Sequence, residues 1–113
     1  MAYTLKYHPD VKKYDLPKID SKNRGMIKRA IEDRLVTQPE TYGKPLQKTL
    51  KGYWKLRIGN YRVVFKVHSD SIFIFGIIHR KEVYELIKKR IQDESQDRYN
   101  RNWRTSRNSS TTF

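Results

Sequence analysis

The chain has 113 residues, no cysteine and three scattered histidines, His8, His68 and His79. This length holds one domain with a modest core, and the absence of thiols argues against a disulfide framework, a thiolate metal site and thiol redox chemistry. Its 25 Lys plus Arg outnumber 12 Asp plus Glu, a net charge of +13 that calls for a polyanionic partner, with nucleic acid the best fit.

In chain order, Tyr3 to Tyr7 alternates as a first strand would, and His8-Pro9-Asp10 ends it. Val11 to Tyr14 has room for a short helical turn before Pro17 interrupts. Ser21 is the expected N-cap of a longer helix over residues 22–37, with Met26, Ile27, Ala30, Ile31 and Leu35 along one stripe. Residues 38–45 are rich in turn formers and lead through Leu46 and Leu50 into a hairpin.

That hairpin, residues 52–66, reads as two alternating strands around Gly59-Asn60. A two-residue loop pairs Ile58 with Tyr61, Arg57 with Arg62, Leu56 with Val63, Lys55 with Val64, Trp54 with Phe65 and Tyr53 with Lys66. Alternation then sends Trp54, Leu56, Ile58, Val63 and Phe65 to a core, and Tyr53, Lys55, Arg57, Arg62 and Lys66 to the opposite face. Arg57 opposite Arg62 destabilises the pair, so a fold that keeps both uses them on an anion.

Ser71 to Ile78 is nearly continuous apolar sequence, as in a central strand covered on both faces. His79-Arg80-Lys81 closes it, and Glu82 to Ile91 carries Val83, Leu86, Ile87 and Ile91 at helical spacing. From Gln92 onward apolar periodicity disappears, which predicts a disordered polar tail over 92–113 behind a domain of residues 1–91. Four arginines and three acids leave that tail almost neutral, so the basic excess belongs to the domain. The fold class is α+β, a small antiparallel β-sheet packed against helices in the order β-α-α-β-β-β-α. His8 and His68 are expected at the surface. No segment has a signal-peptide core or the length of a membrane span, so a cytoplasmic protein with no membrane partner is expected.

Three stretches carry a resemblance: Gly43-Lys44-Pro45-Leu46, Leu50 through Phe65, and Gly76-Ile77-Ile78-His79-Arg80-Lys81-Glu82-Val83-Tyr84. Together they resemble the RelE branch of the RelE/ParE toxin superfamily over residues 2–91. The resemblance implies a toxin of a type II toxin-antitoxin pair that cuts messenger RNA in the ribosomal A site. By this resemblance, the ribose 2′-hydroxyl is expected to attack the adjacent phosphate, leaving a 2′,3′-cyclic phosphate, with no metal or other cofactor. It implies catalytic roles for Lys55, Arg62, Arg80 and Tyr84. Some members have a further lysine where this chain has Tyr53.

Around that set, Arg57 offers a second guanidinium fork to phosphate. Lys44, Lys48 and Lys51 precede the hairpin as candidate contacts to 16S ribosomal RNA, and His79 and Lys81 flank Arg80 as further RNA-binding candidates. His79 is the conventional acid, although adjacent strand-end residues point to opposite sides. Tyr84 can stack on a base. The implied partners are a cognate antitoxin, the ribosome and messenger RNA. The alternatives are a ParE-like topoisomerase inhibitor and a non-catalytic RNA-binding protein.

Overall fold

Gly59 takes φ 57° and Asn60 stays at negative φ, the pattern of a II′ hairpin turn, which twists in the same sense as the strands it joins. In the computed structural model, which describes residues 3–46, 52–97 and 104–106, this turn joins β3 (Trp54–Ile58) to β4 (Tyr61–His68). The register pairs Trp54 with Phe65, Lys55 with Val64, Leu56 with Val63, Arg57 with Arg62 and Ile58 with Tyr61, as alternation predicts. A second tight turn, with Ser69 at φ 56°, leads into β5 (Ser71–His79).

β1 (Thr4–Tyr7), β2 (Lys44–Pro45) and β6 (Arg104–Ser106) complete one sheet, ordered β2-β3-β4-β5-β1-β6. Every pairing is antiparallel except β1 with β5, which is parallel. The intervening helices and hairpins return the chain so that the first strand runs alongside the last long one.

The helices cover both sides of this sheet. Ser21–Ala30 forms α1, continued by a wider helical turn over Ile31–Leu35. Its N-cap is Asp20 rather than the expected Ser21: the Asp20 carboxylate accepts the Asn23 N–H at 3.2 Å, and its charge adds an attraction to the helix N-terminus. Ile27, Ala30, Ile31 and Leu35 are buried as expected, whereas Met26 is 42% exposed because it lies past the edge of the stripe. α2 (Pro39–Tyr42) is a single turn. α3 (Val83–Asp97) packs on the other side.

Two apolar clusters result. Leu5, Ile27, Leu35, Leu56, Val63, Phe65 and Ile74 belong to the α1 side, while Val64, Phe73, Phe75, Ile78, Val83 and Ile87 belong to the α3 side. β5 is buried from Ser71 through Ile78, which accounts for its unbroken apolar sequence. His8, expected at the surface, is 6% exposed; its Nδ1 accepts the Asp10 N–H at 3.0 Å and so satisfies a polar atom beneath the chain.

The register between β4 and β5 shifts after Val64, which pairs with Gly76 while Phe65 pairs with Ile74. Phe75 is the extra residue of a β-bulge, and the bulge leaves backbone groups outside the ladder. A buried ion pair fills that need. Arg90 Nη1 donates to the Phe75 carbonyl at 2.8 Å and to Asp15 Oδ2 at 2.9 Å, Arg90 Nη2 donates to Asp15 Oδ1 at 3.0 Å, and Asp15 Oδ2 accepts the Ile77 N–H at 2.9 Å. Asp15 ends a helical turn over Val11–Asp15 and is 6% exposed; Arg90 is 8% exposed. Gly76 makes the room, since a Cβ there would lie 2.9 Å from Arg90 Nη1 and 3.0 Å from Ile87 Cδ1.

Two segments depart from the expected structureless tail. α3 continues through Asp97, because residues 92–97 contain neither glycine nor proline and include good helix formers even though their apolar period is lost. Arg104–Ser106 forms β6 on the outer edge of β1, pairing Leu5 with Ser106 and Tyr7 with Arg104, and so satisfies backbone groups that an edge strand leaves open. Lys48 and Lys51 lie outside the described residues.

Candidate functional site

α3 covers only part of its side of the sheet. Val83 and Ile87 sit with Val64, Phe75 and Ile78 of β4 and β5, and the strands beyond them carry charge. Cross-strand partners share a face, so the pairs Lys44 with Lys55 and Arg57 with Arg62 place four cations on the open part of that side. Lys44 and Arg57 are exposed, and Lys55 and Arg62 are half-buried.

Tyr84, in the first turn of α3, forms the wall of this basic face. Lys55 Nζ donates to Tyr84 Oη at 3.2 Å and lies 5.6 Å from the centre of its ring. Sequence separation of 29 residues is thus closed by laying α3 against the hairpin. Arg62 Nη1 donates to the Gly59 carbonyl at 3.1 Å and the Tyr61 carbonyl at 2.9 Å, which ties the guanidinium to the hairpin turn. Partial burial, then the charges of Arg57 and Arg80, hold the Arg62 guanidinium below its ordinary pKa, while Tyr84 acts in the opposite sense. Those influences place Arg57, Arg62, Arg80 and Tyr84 in one electrostatic neighbourhood. Arg80 is exposed, and its backbone N–H is fixed on the Asn60 carbonyl at 2.8 Å.

Tyr53, where some members of the superfamily carry lysine, is engaged differently. Its ring meets Phe75 edge-on at 4.9 Å, and Lys66 Nζ sits 5.2 Å from its centre. The ring therefore closes the apolar cluster below α3 at the border of the basic face.

His79 is not brought to Lys55. Its ring packs edge-on against Tyr61 at 5.7 Å, on the α1 side, and its Nδ1 accepts the Lys81 N–H at 3.3 Å. The bulge causes this placement: the extra residue in β5 shifts the alternation, so Ile77 and His79 follow Tyr61 while Ile78 lies opposite Arg62. His79 lines a separate cleft of about 150 Å³ with Lys18, Tyr61, Glu82 and Leu86. Lys81 is exposed just before α3.

Among the described residues, no group of three His, Asp or Glu side chains is arranged to hold a metal ion, and no helix is long and apolar enough to cross a membrane. What the arrangement offers is a cationic surface with one tyrosine and one amine in hydrogen-bond contact. It suits a phosphodiester, whose oxygens accept several forked donors at once. Asp15 and Arg90, which hold α3 over this surface, are the residues that sequence reasoning passes over. One signal was present: Arg90 lies on the same helical stripe as Val83 and Ile87, and an arginine on an apolar stripe requires a buried anionic partner.

Comparison with known proteins places the fold. A family profile described as "ParE toxin of type II toxin-antitoxin system, parDE" matches residues 5–84. Toxin RelE3 of Methanocaldococcus jannaschii is 39% identical over 41 residues, 34% of this chain and about half (47%) of that protein. Toxin RelG of Mycobacterium tuberculosis is 26% identical over 86 residues, 74% of this chain and 98% of that protein. Among solved structures, the toxin-antitoxin complex RelBE2 from Mycobacterium tuberculosis matches with a TM-score of 0.65 at 24% identity, over 71% of this chain and 100% of that one. The RelB-RelE antitoxin-toxin complex from Methanococcus jannaschii matches with a TM-score of 0.57 at 26% identity, over 71% and 95%.

Proposed function

The chain belongs to the family of ParE toxins of type II toxin-antitoxin systems, within the RelE/ParE superfamily, and from that premise we propose that it is a ribosome-dependent endoribonuclease that cuts messenger RNA in the ribosomal A site. The observation that carries this reading is the convergence of Lys55, Arg57, Arg62 and Arg80 beside Tyr84 on one open face. A surface built only for charge attraction has no need of like charges paired directly across a hairpin.

In this reading the ribose 2′-oxygen attacks the adjacent phosphorus, the bond from phosphorus to the 5′-oxygen breaks, and the products are a 2′,3′-cyclic phosphate and a 5′-hydroxyl. Lys55 is placed to accept the 2′-hydroxyl proton, and through the Lys55–Tyr84 hydrogen bond the Tyr84 hydroxyl can pass a proton to the departing 5′-oxygen as it takes one from Lys55. Arg57 and Arg62 take up charge developing on the phosphoryl oxygens, and Arg80 acts as a clamp. Guanidinium holds its proton too tightly to serve as the acid. The Tyr84 ring is placed to stack on a splayed base. His79 faces away from this set, against Tyr61 and its own cleft, and takes no part in the scheme. The scheme uses no metal or other cofactor.

Lys44, Lys48, Lys51 and Lys81 are assigned to contacts with 16S ribosomal RNA and messenger RNA, and the protein works in the cytoplasm where ribosomes are. A cognate antitoxin neutralises it by covering the basic face with an acidic segment. Support comes from the two matching structures, both toxin-antitoxin complexes. The matching profile is that of ParE toxins, which favours a second reading, inhibition of a topoisomerase.

Primer extension on a defined messenger RNA, with and without programmed ribosomes, tests the first reading. We expect codon-phased cuts by the wild type on ribosomes and none by the Lys55→Ala, Arg62→Ala, Arg80→Ala triple variant. Absence of cuts together with inhibition of DNA supercoiling by a gyrase would establish the second reading instead.

A further inference from the structure

Resting on the endoribonuclease reading, we propose that the buried Asp15–Arg90 pair is the positioning device of the site: it sets the rotation and height of α3 so that Tyr84 meets Lys55. The apolar seat of α3 does not have this precision. Val83 and Ile87 lie on Val64, Phe75 and Ile78, contacts that are non-directional and do not by themselves select one rotation of the helix. Tyr84 tolerates little, because each residue along an α-helix turns it by about 100° and raises it by about 1.5 Å. A small rotation therefore carries the phenol off an amine that now sits 3.2 Å away.

The ion pair supplies the missing direction. Its two parallel bonds, at 2.9 and 3.0 Å, fix the guanidinium plane to Asp15. Arg90 Nη1 also binds the Phe75 carbonyl at 2.8 Å, and Asp15 also binds the Ile77 N–H at 2.9 Å. The helix is thereby registered against the backbone of β5 at its bulge. Asp10 adds a longer contact, 3.5 Å from Arg90 Nε. A buried ion pair is a poor source of net stability, since desolvation offsets its attraction, and its best-attested use is to specify register. Arg90 and Tyr84 lie on the same helix six positions apart, so what fixes one fixes the other.

The test compares Arg90→Lys in two backgrounds. Lysine keeps the charge inside and lets the protein fold, but it has no planar fork and cannot hold Asp15 and Phe75 together. Single-turnover cleavage on programmed ribosomes is measured well below the melting temperature, in the wild type and in Tyr84→Ala. In parallel, the Tyr84 ring resonances are followed in protein carrying 13C-labelled tyrosine, assigned with Tyr84→Phe. We expect Arg90→Lys to slow cleavage about 10- to 100-fold in the wild type, the scale of a misplaced group. In Tyr84→Ala it should have no further effect, and the Tyr84 resonance should move. Equal slowing in both backgrounds, or an unmoved Tyr84 resonance, overturns the proposal in favour of a purely structural pair. If the wild type cuts no RNA, the functional reading falls, and the Tyr84 resonance alone decides the placement: a shift supports it and no shift overturns it.

Discussion

At the scale of single residues, the basic face trades stability for charge. Arg57 and Arg62 stand directly opposite each other, and the strain registers on Arg62, whose guanidinium is held below its ordinary pKa first by burial and then by its neighbours. Arg57→Thr should raise stability in urea by about 0.2–1 kcal/mol at low salt, with the gain shrinking as salt screens the repulsion. The same variant should weaken RNA cleavage. Asp20 works in the opposite direction: hydrogen bonds from Asn23 hold its carboxylate below the ordinary value of 3.8. A depressed carboxylate stabilises the fold above its unfolded pKa and loses that contribution as pH falls through the folded value. Asp20→Ala should therefore lower the melting temperature at pH 7, and its deficit against the wild type should begin to shrink only as pH falls below 3.8 toward the lower folded value, checked by thermal melts across acid pH. Both arginines and their pairing were legible in the sequence, because alternation and a two-residue loop leave one register. Asp20 was not, since Ser21 beside it is an equally good cap by composition.

At the scale of elements, the decisive features are the hairpin and the seating of α3. A period of two around Gly59-Asn60 made the hairpin readable residue by residue. The seating of α3 was readable only as an apolar stripe. Its anchor joins Arg90 to a residue 75 positions earlier, and the bulge that calls for it leaves no local mark except Gly76. For the same reason His79 could not be placed: one extra residue in β5 reverses the side of everything after it. Gly76→Ala should destabilise the protein by about 1–3 kcal/mol in urea unfolding, because the new methyl meets Ile78, Arg90 and Ile87 at 2.8–3.0 Å and those side chains must shift. Ile87→Ala, fully buried beneath the helix, should lose about 2–5 kcal/mol.

At the scale of the whole molecule, one sheet is used in two ways. Its α1 side is closed by the larger core, while its other side is divided between an apolar cluster under α3 and an open basic strip. The sequence showed the strip but not the cluster beside it, because Val64 sits among charges in the alternation while its Cβ faces α3. Basic charge spread over residues 1–91 adds attraction to nucleic acid at long range, so ribosome association should weaken steeply with added salt. Proposed cleavage of RNA at this strip through the ribose 2′-hydroxyl is checked by removing that hydroxyl. A messenger RNA with one 2′-deoxy nucleotide at a mapped cut site is presented on programmed ribosomes and the products are read at single-nucleotide resolution. Cutting should disappear at that position and persist at unmodified sites with 2′,3′-cyclic phosphate and 5′-hydroxyl ends. Continued cutting at the deoxy position would contradict it.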